Sequence, residues 1–143
     1  MAEGMRVHGE KITISTKGFS DIRDITDQVQ RVVAKAGVKE GLATVFVIGS
    51  TASVSTIEHE PALVEDFRDH LEQLASQKEK TRHGETWGDD NGFSHIRATL
   101  MGPGITVPVT GSNLVLGTWQ QIVLIDHDNR PRHREVFVQV IGV

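Results

Sequence analysis

Two histidines and several carboxylates in one polar segment have the side-chain types that bind divalent metals. His83 lies two residues before Glu85, and His95 follows in the first turn or so of an expected helix. Imidazole favours zinc over magnesium, and carboxylates also accept a harder ion. The same residues serve equally as surface caps and turns, and their spacing matches no strict metal signature. We predict a metal site at His83, His95 and Asp90, holding zinc as isolated and tolerating magnesium in turnover.

The residues around Asn91 have the character of an anion-binding helix start. Asn91 opens a predicted helix, whose first backbone N–H groups lack intrahelical partners. The carboxylates of Asp89 and Asp90 would repel a bare phosphate, so a metal between protein and phosphate suits them better. A plain helix cap or a tight Asn-Gly turn explains the segment equally well. The basic turn 130–134, which includes Arg132, is a second phosphate-binding candidate or a solvated turn.

Trp119 and Gln120 follow Gly117 in a segment that is unusual for a strand. An interior glycine beside tryptophan and two amides is a poor choice for strand stability. One interpretation is a core tryptophan resting over the glycine. The functional interpretation is an aromatic platform for a heterocycle, with Gln120 supplying a directional hydrogen bond.

The segment from Ser50 to Thr56 alternates hydroxyl side chains with small apolar ones. This pattern predicts a strand with one apolar face and one hydroxyl face, on which Thr51 and Ser53 are candidate substrate-binding residues. Glu58 follows on the same strand and is a candidate catalytic residue facing a cleft. A simple charge before the next helix is the alternative for Glu58.

Hydrophobic periodicity places these candidates in a small α+β fold. The predicted strands span 11–15, 19–25, 42–48, 50–56, 105–109, 114–125 with an optional break at Gly117, and 135–141. Of the predicted helices, the first has Thr26 as N-cap and Gly37 as its stop, the second has Pro61 in its first turn, and the third has Asn91 as cap. The polar segment 81–91 is predicted to be a functional loop. The order ββαββααβββ contains few crossovers suited to a parallel sheet, so we predict a mainly antiparallel sheet with helices on one face.

Length and composition limit the class of protein. The 143 residues, 38% hydrophobic and 24% charged, predict one domain spanning 1–143. A net charge of −4 argues against a nucleic-acid partner, and the lack of cysteine excludes disulfides and thiol catalysis. No apolar stretch approaches the ~20 residues that span a bilayer, and no signal-like apolar run follows Met1. We therefore expect a cytoplasmic protein with no membrane partner.

Three motifs together resemble the YjbQ-like family, also called the secondary thiamine-phosphate synthase family. They are Gly49-Ser50-Thr51-Ala52-Ser53 with Thr56-Ile57-Glu58, His83 through Asp89-Asp90-Asn91 to Ser94-His95, and Leu116-Gly117-Thr118-Trp119-Gln120. The resemblance covers essentially the whole chain. It implies a compact α+β subunit, assembly as a homotrimer, and thiamine-phosphate synthase activity reported for some members. The residues that match the recurrent family positions directly are His83, Asp90, Asn91, His95, Trp119 and Gln120.

One motif departs from the usual family pattern. Many members have His-Thr-Ser at its start and Asn-Glu at its end, where this chain has Gly49 and Ile57 and keeps Glu58. The pattern is similar to that of an archaeal-like subgroup. Loss of the histidine removes one ligand or proton donor, which predicts a low rate.

The resemblance implies a metal-dependent transferase that joins a pyrimidine methyl diphosphate to a thiazole phosphate. In this hypothesis the ring stacks on Trp119, the phosphate meets Asn91 or the arginines of 130–134, and Glu58 orients the pyrimidine amine. The expected partner is thus a small phosphorylated heterocycle. A non-enzymatic binding protein for a metal or phosphometabolite and a metal-assisted hydrolase remain alternatives.

Overall fold

The computed structural model describes residues 4–143. The strands in this range are β1 Arg6–Thr16, β2 Asp21–Asp24, β3 Glu40–Ile48, β4 Ala52–Ile57, β5 Gly104–Thr110, β6 Asn113–Leu114, β7 Gln121–Asp126 and β8 Arg132–Gly142. The helices are α1 Thr26–Ala36, α2 Pro61–Leu74, α3 Arg82–Trp87 and α4 Gly92–Met101. None of the described helices is long and apolar enough to cross a membrane.

The strands form two antiparallel sheets. One has five strands in the order β1-β8-β3-β5-β6, and the other has three in the order β2-β7-β4. Each strand pair among the described residues is antiparallel. The predicted α+β fold with a mainly antiparallel sheet is confirmed.

The main core lies between the inner face of the five-stranded sheet, α1 and one face of the three-stranded sheet. Alternate residues of β3, Ala43, Val45 and Val47, point inward and are buried. In β7 consecutive residues are buried because both faces are covered: Leu124 faces the main core, and Val123 faces a second cluster with α2 and α4. Helices α1, α2 and α4 therefore lie on one side of the five-stranded sheet.

The outer face of the five-stranded sheet carries apolar side chains that no part of residues 4–143 covers. About half of each of these side chains is exposed: Val7, Leu42, Phe46, Ile48 and Ile141. These residues alternate with the buried ones along β1, β3 and β8, as a two-sided sheet requires. A partner surface on this face would remove them from water.

The predicted loop 81–91 contains a short helix, α3. The Thr81 side chain caps its first turn by accepting a hydrogen bond from the Gly84 N–H at 3.0 Å. Gly88 ends it with a left-handed φ of 72°. Six residues are too short to show helical periodicity in a sequence, so the loop prediction was wrong for this stretch.

The predicted strand 114–125 is two strands in different sheets. β6 ends at Leu114 in the five-stranded sheet, and β7 begins at Gln121 in the three-stranded sheet. The chain crosses between the sheets through a turn in which the Gln120 N–H donates to the Gly117 carbonyl at 3.1 Å. Trp119 lies in this crossing and is 71% exposed, so its interpretation as a core residue is wrong.

Two predicted helix starts differ in their capping. Thr26 is the first residue of α1 rather than its N-cap, and its hydroxyl donates to Asp24 and accepts from the Ile122 N–H. Asn91 occupies the N-cap position of α4, but its side chain makes no capping hydrogen bond. The Asn91 side chain instead donates a hydrogen bond to Asp128.

Candidate functional site

The structure brings His83 and His95 together, as the sequence predicted. Each lies in the first turn of its helix, α3 or α4, and their ring centroids are 4.6 Å apart. The two helix starts come this close because Gly92 packs against Thr81, where an added Cβ would lie 2.1 Å from the threonine hydroxyl. A cavity of about 500 Å³ adjoins the pair, lined also by Lys80 and Ile96. The histidines therefore face a space that a small ligand could enter.

The carboxylate nearest the pair is that of Asp89. Its Oδ1 lies 3.3 Å from His83 Nδ1, an ion-pair distance without the alignment of a hydrogen bond. The same Nδ1 is buried and has no hydrogen-bond partner among the described residues. Asp90, the predicted ligand, instead has a left-handed φ of 56° and lies close to Gly84.

These groups fit a metal ion in part. The orphaned Nδ1 of His83, the neighbouring imidazole of His95 and the carboxylate of Asp89 are a suitable donor set for zinc. Nowhere in residues 4–143 do three or more histidine, aspartate or glutamate side chains converge as a finished set of ligands. The pair therefore supplies two ligands, and a carboxylate must rotate, or come from another chain, to complete a site.

Asn91, the N-cap of the helix that carries His95, belongs to a buried polar network. Its side chain is nearly fully buried, and its Nδ2 donates to Asp128 Oδ1 at 3.3 Å. Within the described chain its Oδ1 has no partner. A helix cap is thus a poor explanation for this asparagine, because the side chain is directed at a carboxylate and away from the N–H groups of α4.

Asp128 is the centre of this network. Its carboxylate accepts hydrogen bonds from Thr51 Oγ1 at 3.1 Å, from Arg132 Nε at 2.9 Å and from the Asn129 N–H at 2.8 Å. Burial alone would raise the pKa of Asp128, but hydrogen bonds from Asn129, Asn91 and Arg132 hold this pKa below its ordinary value. Asp128 is therefore charged, and it fixes Arg132 beside Asn91.

A second buried ion pair joins Arg134 and Asp126. Arg134 Nε and Nη2 donate to the two carboxylate oxygens at 2.7 and 2.8 Å, in the bidentate geometry that suits a guanidinium. Nη2 also donates to Thr51 Oγ1, and the Thr16 hydroxyl donates to Asp126. Thr51 thus lies buried between Asp126 and Asp128. Its hydroxyl donates to Asp128 and accepts from Arg134, the ion-pair partner of Asp126.

His127 lies inside the same cluster and is fully buried. Its Nδ1 lies 2.7 Å from Ser20 Oγ, and its Nε2 lies 3.1 Å from Ser53 Oγ. Burial, assisted by the positive charge of Arg97, lowers the pKa of His127 to about 3. The imidazole is therefore neutral, so one nitrogen donates and the other accepts. Ser53, a predicted substrate-binding residue, is buried against this ring.

Protonation of His127 opposes folding in acid. In an unfolded chain the pKa of histidine is about 6.5, well above the folded value of about 3. The unfolded state therefore binds the proton first as the pH falls below about 6.5, and stability decreases down to the folded pKa. The neutral ring contributes its full stability only above the unfolded pKa.

Trp119, Gln120 and Glu58 lie at the opposite end of the β4–β7 ladder. Gln120 Nε2 donates to Thr56 Oγ1 at 3.0 Å, and its Oε1 accepts from the Gly117 N–H. The exposed Glu58 follows the end of β4.

The register of the ladder separates the two groups of predicted site residues. Ala52 pairs with Asp126 at one end, and Ile57 pairs with Gln121 at the other. At about 3.4 Å per residue, the ladder separates these ends by roughly 17 Å. A single chain thus does not bring Trp119 to the His83 and His95 pair.

Comparisons with known proteins agree with this architecture. The profile of the family described as UPF0047 protein YjbQ-like matches residues 10–143. The chain belongs to this YjbQ-like family. Its YjbQ-like relatives include a UPF0047 protein of Synechocystis, 36% identical over 99% of this chain and 96% of the relative. A UPF0047 protein of Archaeoglobus fulgidus is 35% identical over 92% of this chain and 99% of its own length.

Solved YjbQ-like structures share the fold closely. A YbjQ-like protein of unknown function from Sulfolobus solfataricus superposes with a TM-score of 0.92 at 35% identity, covering 97% of this chain and 99% of that one. A hypothetical protein from Aeropyrum pernix superposes with a TM-score of 0.86 at 29% identity, covering 94% and 98%. The two-sheet arrangement described here is therefore the YjbQ-like fold.

Sequence reasoning missed the buried part of this YjbQ-like site. Asp126, His127 and Asp128 were not among the predicted site residues, yet all three are fully buried. A usable signal was present, since three consecutive ionisable residues directly follow the apolar run of β7. Ionisable side chains at the end of a buried strand need partners, and the arginines at 132 and 134 supply them.

Proposed function

We propose that this protein is a metal-dependent transferase similar to thiamine-phosphate synthase, joining a pyrimidine methyl diphosphate to a thiazole phosphate. The observation that carries the proposal is the adjacency of two site components. The paired imidazoles of His83 and His95 lie at the starts of α3 and α4. Asn91, the N-cap of α4, donates to Asp128, which also accepts from Arg132. A ring diphosphate needs both a cation near the departing group and donors for its phosphate oxygens.

The reaction suits a site without a strong nucleophile. The attacking thiazole nitrogen is already unprotonated, so stabilising the departing pyrophosphate is the main requirement. His83 and His95, with Asp89 or Asp90, would hold the divalent metal, which when bound supplies positive charge beside the pyrophosphate. Arg132, held by Asp128, orients phosphate oxygens. Because Glu58 lies at the Trp119 end of the β4–β7 ladder, Glu58 of the partner subunit would orient the pyrimidine amine.

We also propose that the site is completed in a homotrimer. The half-exposed apolar side chains on the outer sheet face, such as Phe46 and Ile48, favour burial against a second copy. Trp119 is exposed and too distant to serve the His83 and His95 pair of its own chain. A heterocycle at that pair would instead stack on Trp119 of the partner subunit. We also propose that the protein is located in the cytoplasm.

Sedimentation tests the assembly. The wild-type protein is expected to sediment with the mass of three chains at micromolar concentration, and Phe46→Lys should shift it to the monomer because a charge on the outer face opposes burial. A mixture of His95→Ala and Trp119→Ala subunits, unfolded and refolded together and assayed at substrate concentrations below the wild-type KM, should regain part of the activity that each variant alone has lost. A monomer mass for the wild type at all dilutions, or failure of the mixture to recover, removes the proposed sharing.

A direct assay tests the activity. The protein is incubated with the pyrimidine diphosphate, the thiazole phosphate and magnesium or zinc, and thiamine phosphate is followed by fluorescence after oxidation to thiochrome. Slow product formation is expected, since Gly49 replaces the histidine of many members. Trp119→Ala should raise KM about tenfold, because ring stacking is lost. Trp87→Ala, which alters a similarly exposed tryptophan, is the matched control.

A non-enzymatic metal- or phosphometabolite-binding protein is the second candidate. The observation that favours it is the incomplete ligand set at His83 and His95, where only two imidazoles converge. Absence of product above a protein-free control, from a trimer with bound metal, would exclude the synthase and leave this candidate. Release of inorganic phosphate without thiamine phosphate would indicate a metal-assisted hydrolase.

A further inference from the structure

The guanidinium of Arg134 has one nitrogen that the buried network does not use. Nε and Nη2 bind Asp126, and Nη2 also binds Thr51. Nη1 makes no hydrogen bond to any described residue, although the Arg134 side chain is only 9% exposed. Among the described residues, the fully buried side-chain polar atoms without a hydrogen-bond partner are His83 Nδ1 and Asn91 Oδ1. Because Nη1 lacks a partner and is not one of these atoms, it keeps some surface exposed to solvent.

Gly49 forms the opening through which Nη1 is reached. A Cβ added at Gly49 would lie 2.9 Å from Nη1, closer than side chains normally pack. Gly49 itself is exposed at the end of β3. The absence of a side chain at this position therefore leaves one edge of a buried, fixed guanidinium open to the surface.

We propose that Arg134 Nη1, reached past Gly49, binds an oxyanion of the phosphorylated substrate. The inference deepens the proposed function, because it identifies a phosphate-positioning residue at the same site. Arg134 is suited to this role because its bidentate pair with Asp126 holds the donor in place before a ligand arrives. Thr51 then connects Arg134 to Asp128, the carboxylate that holds Asn91 at the start of α4.

Arg132, the arginine singled out from the sequence, is less suited to be the main anion donor. Two of its nitrogens, Nε and Nη2, contact the same oxygen of Asp128 at 2.9 and 2.7 Å. Its side chain is 34% exposed, so water competes for its remaining donors.

The charges around Arg134 Nη1 predict a modest affinity for an anion. Arg132 and Arg134 are balanced by the buried carboxylates of Asp126 and Asp128. An anion is therefore attracted by the free N–H groups at short range and gains little from net charge. Binding of inorganic pyrophosphate in the range of about 0.1 to 1 mM is expected for one charge-assisted contact supported by neighbouring donors.

Calorimetric titration of the full chain with inorganic pyrophosphate tests the subsite. Gly49→Ala places a methyl group 2.9 Å from Nη1 at a φ of +159°, which alanine rarely adopts, so thermal unfolding must first show that the variant is folded. The folded variant should bind pyrophosphate about tenfold more weakly. The matched control is Gly111→Ala, at an exposed turn where an added Cβ meets no atom within 4 Å. This control should bind pyrophosphate as the wild type does.

Three outcomes would overturn the subsite. They are undetectable wild-type binding, unchanged binding in a folded Gly49→Ala protein, and equal weakening in the Gly111→Ala control. Arg134→Lys provides a second variant, which keeps the positive charge but loses Nη1, and it should show the same loss if it melts cooperatively. Pyrophosphate binding that depends on Gly49 in a protein without synthase turnover would support the subsite and exclude only the proposed reaction.

Discussion

The double substitution His83→Ala with His95→Ala is expected to abolish bound metal while leaving the fold intact. The two rings lie 4.6 Å apart and are partly open to an adjoining cavity, so their removal disturbs little of the core. Metal content is measured in the purified protein by mass spectrometry, and folding is measured by thermal unfolding. Formation of thiamine phosphate should fall by about a hundredfold or more, because the cation beside the departing pyrophosphate is lost.

A matched histidine substitution separates this effect from a general loss of histidine. His70→Ala removes an exposed imidazole on α2 whose Nδ1 contacts only the Asp66 carbonyl of its own helix. This control should keep both metal and activity. Unchanged metal stoichiometry in the His83→Ala, His95→Ala protein would mean that the ligands lie elsewhere and that the pair is structural.

Replacing Arg97 with methionine is expected to destabilise the fold by about 3 kcal/mol. The Arg97 side chain is 1% exposed, and its Nε and Nη2 donate to the Ala75 carbonyl at 2.9 and 2.8 Å. Its Nη1 donates to Ser20 Oγ at 3.0 Å. Methionine keeps the apolar stem but leaves these buried acceptors without donors, which is costly. The ion pair with the part-exposed Glu72 contributes little to the total.

Urea unfolding of Arg97→Met against wild type measures this loss. Lys35→Met, on an exposed part of α1, is the control and should change the free energy of unfolding by less than about 0.5 kcal/mol. Because Arg97 lowers the pKa of His127, the variant should also lose less stability in acid than the wild type does. An unfolding midpoint for Arg97→Met equal to that of wild type would show that Ser20 and Ala75 find other donors.

The local elements were predictable from the sequence because each is specified by a short periodic pattern. The apolar run 42–48 predicted a buried strand, and β3 forms there, although only alternate residues such as Val45 are buried and Phe46 on the other face is half-exposed. The helical spacing in α1 identified its buried face. Gly37 ends α1 with a left-handed φ of 67°, as its position after the last buried residue indicated. The motif spacing was also enough to identify the family.

Only part of the candidate site followed from the same reasoning. His83 and His95 meet because they lie in the first turns of two consecutive helices whose starts are in contact. Trp119 was grouped with them by its residue type and by the family resemblance. The distance from Trp119 to the two histidines depends on the register of β4 against β7, and a local sequence pattern does not encode that register.

The sequence by itself determined most of the elements, the fold class and part of the candidate site, because these depend on neighbours along the chain. Tertiary structure decided that segment 114–125 divides between two sheets, that Asp126 and Asp128 are buried against arginines, and that His127 is neutral. Each of these outcomes depends on contacts between residues far apart in sequence. Burial and charge pairing arise only when those contacts form, so they set the site's electrostatics after the fold is complete.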